Sequence, residues 1–264
     1  MLYQAKNGTA AGADYIRFGT GKKALVMLPG LGDGLRTTKG TALPMALYYR
    51  KLAKEYTVYM FSRKTDLPEG HTTRDMASDL KMAMEEVGIS RASLMGVSMG
   101  GMIAQHFAAA YPEMVEKLVL VVTAARENAV LLESLEEWID CANRDDHIAL
   151  MGSNLRRIYS EKYCRRNSWM VSITGRLTKP ESYHRFFVQA DACRSHNAWD
   201  CLPEISAETL VIGGEQDKSL GGEASREIAA RIPDAKLKMY PQWGHGLYEE
   251  AEDFLDVVTE FLRT

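Results

Sequence analysis

The sequence predicts an α/β fold in which a mostly parallel central sheet carries helices on both faces and a helical segment is inserted late in the chain. Three observations predict it. Short apolar runs of strand length alternate with helix-length segments between residues 24 and 123. Such alternation implies βαβ crossovers, and these demand parallel neighbours. Within the alternation, Gly96-Val97-Ser98-Met99-Gly100 sets a serine between two glycines where a strand run gives way to a helix. After Ala125 the strand runs stop, and residues from about 126 to 186 read as amphipathic helix until the sheet resumes at Leu210.

Taken in order, the segments near 2–6 and 14–18 pair as an antiparallel edge, and a continuous apolar strand over 24–28 follows. The next loop, Pro29-Gly30-Leu31-Gly32-Asp33-Gly34, has three alternate glycines that let backbone approach a ligand. A helix near 43–55, a strand at 57–61 and a helix at 73–87 lead to the strand 92–97. The helix 99–111 is stopped by Pro112, and a strand at 117–123 precedes the insertion. Beyond it, Thr209-Leu210-Val211-Ile212-Gly213-Gly214 is a strand whose following loop offers Glu215 and Asp217. A last strand, 236–240, is followed by Gln242-Trp243-Gly244-His245-Gly246. The core is therefore 1–125 with 187–264, and 126–186 is the insertion.

Ser98 sits on a sharp strand-to-helix turn. So tight a turn strains its central residue and pushes the hydroxyl out of the sheet. It also aims the free N–H groups of the helix N-terminus at any oxyanion formed beside that hydroxyl.

Composition sets bounds. A length of 264 residues suits one α/β core with an insertion, and the apolar and charged fractions are those of an ordinary globular chain. A net charge of -3 argues against nucleic acid as a general partner. No apolar run approaches the roughly 18 residues of a membrane span, and Met1 to Gly8 lacks the pattern of a signal peptide. A cytoplasmic enzyme is the expectation. Cys141, Cys164, Cys193 and Cys201 are too widely spaced for a CxxC pair and read as packing residues. No His/Cys cluster has metal-ligand spacing, so neither a metal nor a cofactor is expected.

These loops, in this order, make the chain similar to the α/β-hydrolase superfamily, and most closely to its single-domain branch of small esterases, enol-lactonases, cofactor-free perhydrolases and carbon–carbon hydrolases. The resemblance spans nearly the whole length. It implies the α/β-hydrolase fold, with Ser98 as nucleophile, His245 as general base and then acid, and Asp217 as the carboxylate orienting the imidazole. It also implies an oxyanion hole from the backbone N–H groups of Leu31 and Met99, and identifies the insertion with the family's cap. Two features depart from the family pattern. Pro29 stands where many relatives have histidine, and Phe61 to Gly70 lacks the usual Asp and Arg-Gly-x-Gly.

Around the nucleophile, Gly30, Met102 and Trp243 are expected to line an apolar substrate pocket. Glu215 is the alternative to Asp217 as the acid, and His184 and His196 are candidates to line the cap. Glu249 and Glu250 are read as starting the final helix. The basic run from Arg156 to Arg166 reads first as a solvated helix face, and otherwise as a dock for an anionic substrate or acidic carrier protein. The expected reaction is cleavage of a carboxylic ester, thioester or lactone of a small or medium acid through an acyl-serine. Carbon–carbon hydrolysis with the same triad and a triad-retaining ligand receptor are the competing readings.

Overall fold

The computed structural model describes residues 2–264; Met1 lies outside them. Strands β1 (Lys6–Ala10), β2 (Ala13–Phe18), β3 (Lys23–Leu28), β4 (Tyr56–Lys64), β5 (Ala92–Val97), β6 (Val115–Val121), β7 (Glu208–Gly214) and β8 (Lys236–Tyr240) form one sheet. Its order is β1-β2-β4-β3-β5-β6-β7-β8. The first two pairings, β1 with β2 and β2 with β4, are antiparallel, and the rest are parallel.

Helices α1 (Ala42–Tyr48), α2 (Arg50–Ala53), α3 (Thr73–Glu86) and α4 (Met99–Ala110) belong to the first half of the chain. Between β6 and β7 come α5 (Ala129–Asn143), α6 (His147–Ile158), α7 (Glu161–Asn167), α8 (Val171–Thr178) and α9 (His184–Arg194). The chain finishes with α10 (Glu223–Arg231), α11 (Leu247–Glu250) and α12 (Phe254–Arg263).

Both faces of the sheet are covered, which is why its central strands are unbroken apolar runs. Val26 and Leu28 of β3, with Leu94 of β5, face a core shared with α3, α4 and α10. The alternate residues Leu25, Met27, Met95 and Val97 face a second core with α1, α2 and α12. Strand periodicity thus splits each run between two cores.

The antiparallel edge lies later than residues 2–6. Leu2–Gln4 forms a 3-10 turn, and β1 and β2 join through Ala11 and Gly12, both at positive φ, a geometry suited to the twist of a tight hairpin. The expected helix 43–55 is broken at Tyr49, whose ψ of 26° leaves the helical region. Strand β6 ends two residues before Thr123 because Val122 takes φ 42° and donates its N–H to the Ile212 carbonyl.

The helical stretch also runs past residue 186, since α9 continues to Arg194. Its two ends meet where Ala198 N–H donates to Ala125 O at 2.7 Å and Arg126 bridges Asn197.

Sheet order positions the site. After β3 the chain moves to β4 on one side, then returns to place β5 on the other. The loops leaving β3 and β5 therefore diverge and open a crevice at the carboxyl ends of the strands. Because β7 and β8 run parallel to them, the loops carrying Asp217 and His245 emerge at the same edge.

Candidate active site

Ser98 occupies φ 54°, ψ -121°, a region that L-residues rarely adopt. The turn closes this tightly only because its flanks are glycine. A Cβ on Gly96 would lie 2.4 Å from the Gly100 carbonyl oxygen, and one on Gly100 would lie 2.1 Å from that of Leu28. The strained residue, at a cost of about 1–3 kcal/mol, is held on both sides. Ser98 N–H donates to Val121 O at 2.9 Å, and Thr123 Oγ1 donates to Ser98 O at 2.8 Å.

The loop after β3 is a single 3-10 turn, Leu31–Gly34. Arg63 Nη2, from β4, donates to the Gly30 carbonyl at 3.0 Å. The same peptide unit ends in the Leu31 N–H, which in a planar trans peptide points opposite to the carbonyl. Asp33, whose side chain is fully buried, accepts from Arg63 N at 3.1 Å and from Arg185 Nη2 at 2.9 Å. Arg185 Nη1 also donates to Asp33 O at 2.7 Å, so α9 is keyed into the loop. Neither the Leu31 nor the Met99 N–H has an acceptor among the described residues.

His245 and Asp217 are both buried, with His245 Nδ1 2.8 Å from Asp217 Oδ2. The other carboxylate oxygen accepts from the Ser219 and Leu220 N–H groups at 2.8 and 2.9 Å. Both carboxylate oxygens are therefore engaged, and Nε2 is the nitrogen left for the cavity. Glu215 is the other acid of that loop, and it pairs instead with Arg226.

Ser98 and His245 line one cavity of about 380 Å³, walled by Met45, Trp138, Ile158 and Phe186. Gly30 and Leu31 line it as expected. Met102 does not. Helix α4 is buried along almost its whole length, so Met102 packs in the first core against the central strands. Trp243 likewise packs against the second core, and the Met99 side chain is wholly buried in the first core. Tyr248 is a wall residue not anticipated; burial, with Glu249 nearby, pushes its phenol well above the ordinary value and keeps it neutral.

A second cavity of about 390 Å³ lies between α6, α7 and α8 and shares Gly32, Leu35, Arg36, Asn154 and Ile158 with the first. Arg36 has no carboxylate partner among the described residues, although it lines both spaces.

His184 Nε2 lies 2.9 Å from Leu67 O, and His196 Nδ1 lies 2.8 Å from Thr73 Oγ1, so neither lines the Ser98 cavity. Glu249 and Glu250 end α11 rather than starting the final helix. Glu250 accepts from Ser160 N at 2.9 Å and Glu249 from Tyr159 Oη at 2.9 Å. With Gly246 N–H donating to Ile158 O at 2.7 Å, these bonds fasten the His245 loop to the helical insertion. Arg157 is spent on Glu133 and Glu137, which accounts for part of the basic run without any partner.

Arg63 and Arg185 escaped the sequence reading because their partners lie 33 and 152 residues away. The one signal was the unusual Ser62-Arg63-Lys64 at the end of β4, beside a loop lacking the usual histidine.

Comparison with known proteins agrees with this architecture. The 2-hydroxy-6-oxo-6-phenylhexa-2,4-dienoate hydrolase of Comamonas testosteroni is 29% identical over 199 residues, 71% of this chain and 68% of that protein. A 2-hydroxy-6-oxononadienedioate/2-hydroxy-6-oxononatrienedioate hydrolase of Burkholderia vietnamiensis is 28% identical over 98% of this chain and 93% of its own. Among solved structures, MGS-M2, an alpha/beta hydrolase enzyme from a Medee basin deep-sea metagenome library, superposes with a TM-score of 0.86 at 22% identity, covering 98% of both chains. No described helix is long and apolar enough to cross a membrane. The family model for the alpha/beta hydrolase fold matches residues 23–252, and on that match the chain belongs to the alpha/beta hydrolase fold family and is a hydrolase.

Proposed function

We propose that this enzyme cleaves a carboxylic ester, thioester or lactone of a small or medium acid through an acyl-serine intermediate. The observation that carries the reading is Ser98, strained at φ 54°, on the wall of the same cavity as an imidazole whose Nδ1 is held by Asp217. His245 Nε2 takes the Ser98 proton as Oγ attacks the carbonyl carbon. The oxyanion is received by the Leu31 and Met99 N–H groups, and the alcohol or thiol leaves with the proton from His245. Water then gives a proton to His245, attacks the acyl carbon and releases the acid, restoring the Ser98 hydroxyl. Asp217 stabilises the imidazolium in both halves. In this scheme the helices between β6 and β7 act as the cap, and their Trp138, Ile158 and Phe186 size the acyl group.

A second reading is supported by the relatives. Both are named as hydrolases of hydroxy-oxo-dienoates. A substrate of that name has a ketone and no ester, so its hydrolysis must break a carbon–carbon bond, and the same triad could serve it.

The deciding experiment is steady-state hydrolysis of p-nitrophenyl esters from acetyl to decanoyl, beside a vinylogous 1,5-diketone, by the protein and by Ser98→Ala. Sustained ester turnover, lost about a millionfold in the variant, is expected. Turnover of the diketone alone would replace the ester reading with the second one. Turnover of neither substrate would remove both.

A further inference from the structure

Helix α8 and the 3-10 turn before it, Ser168–Met170, have two faces with different surroundings. The inner face is packed. A Cβ on Gly175 would stand 3.1 Å from Ile148, so α8 lies tightly on α6, while Val171, Thr174 and Thr178 line the second cavity. The outer face is bare. Trp169, Ile173 and Leu177 are 69%, 52% and 79% exposed. They recur every fourth residue, so they form one stripe along the helix, and Ile173 and Leu177 turn away from Gly175 by roughly 160° at about 100° per residue. Three large apolar side chains this open, in line, exceed the scattered apolar exposure of an ordinary surface.

The charge around the stripe is equally uneven. Residues 161–177 hold Lys162, Arg165, Arg166 and Arg176 against Glu161 alone, a net +3 in a chain whose total is -3. Arg165 and Glu161 face each other at 3.5 Å with both side chains largely in solvent, so salt and water screen that pair. Arg166 lies one helical turn before Trp169, and Arg176 one turn after Ile173.

We propose that this face is a docking surface for an anionic lipid bilayer. The apolar stripe enters the headgroup–acyl boundary, the tryptophan ring sits at the interface, and the flanking cations meet the negative headgroups. Charge selects this occupant over a second copy of the chain. A symmetric contact would bring Arg165, Arg166 and Arg176 toward the same cations of its mate, whereas an anionic surface neutralises all of them. The arrangement concerns binding alone and does not depend on which bond the enzyme cleaves.

The test is sedimentation of the full-length protein with phosphatidylcholine vesicles, with or without 30% phosphatidylglycerol, at low and high salt. The expected result is partitioning about tenfold stronger to the anionic vesicles, lost at high salt. It falls at least about fivefold in Ile173→Ser/Leu177→Ser and in Arg165→Gln/Arg166→Gln, with unchanged circular dichroism. Brominated lipids should quench emission of the unaltered protein and fail to quench Trp169→Phe, a reading that needs neither double variant to fold. Equal partitioning to both vesicle types, or quenching that survives in Trp169→Phe, would overturn the proposal. So would a dimer in solution that Ile173→Ser/Leu177→Ser converts to a monomer, because the stripe would then belong to a second copy.

Discussion

Arg63 donates from Nη2 to the carbonyl oxygen of Gly30 at 3.0 Å, and this bond fixes the peptide whose other end is the Leu31 N–H. The guanidinium is almost wholly buried and braced by Asp33 at 3.9 Å. A side chain on β4 thus does the work of orienting a donor on the loop after β3, where this chain has Pro29 in place of a histidine. Replacing Arg63 by Met should lower kcat for a p-nitrophenyl ester about ten- to hundredfold, toward the loss seen when an oxyanion donor is removed. KM should change little, since a mis-aimed donor weakens the transition state more than the ground state. A rise in KM with kcat intact would show that Arg63 shapes the pocket and not the donor.

Strain at Ser98 separates stability from activity. Glycine adopts φ 54° without the penalty an L-side chain meets, so Ser98→Gly should unfold at a free energy about 1 kcal/mol above Ser98→Ala. Both should be inactive. Urea titration of the two variants measures the difference, and equal midpoints would mean that the turn is not strained.

Among the described residues, Arg36 is a cation without a carboxylate partner where the two cavities meet. A substrate bearing a carboxylate on that side should bind through it. Arg36→Gln should raise KM about threefold or more for a p-nitrophenyl hemisuccinate and leave the butyrate unchanged. Equal effects on the two esters would assign Arg36 to solvent.

Acid should destabilise the fold through a pair of histidines away from the site. His196 is buried beside Thr73, its ring edge-on to His106 at 5.1 Å, and His106 Nδ1 lies 3.8 Å from Cys201 Sγ. Burial, reinforced by His106, pushes His196 down to about 3. Burial, reinforced by Arg74, pushes His106 down to about 4. Both stay neutral in the folded chain while the unfolded chain takes up their protons near the ordinary value of 6.5. Stability is therefore full above pH 6.5 and falls as pH drops from there toward 4, by at most about 1.4 kcal/mol per pH unit for each ring. Thermal melts between pH 7 and 4.5 should show this slope, and His106→Gln should flatten it. An unchanged slope would place the acid sensitivity elsewhere.

Much of the candidate site was legible along the chain because its parts are local. Ser98, Asp217 and His245 each follow a strand by one to five residues, and parallel strands deliver such loops to one edge whatever lies between them. The glycines around Ser98 carried the same message, since a strand and helix that turn within one residue leave no room for a Cβ. Burial on both faces made β3, β5 and β7 visible as apolar runs, whereas the edge strand β1, with polar Lys6, Asn7 and Thr9, was placed four residues early.

Tertiary structure decided the rest. Whether Met102 faces substrate or core depends on the rotation of α4 against the sheet, and that helix is buried on nearly every side, Gln105 and His106 included, so periodicity holds no preferred side. The true walls, Met45, Trp138, Ile158 and Phe186, come from helices whose packing angles no local pattern encodes. Arg63 and Arg185 acquire their meaning only where a carbonyl and a buried carboxylate from distant sequence reach them. The order of strands and loops was written in the sequence itself, because backbone geometry acts between near neighbours; the pocket and its bracing arose from contacts that exist only once the chain has closed on itself.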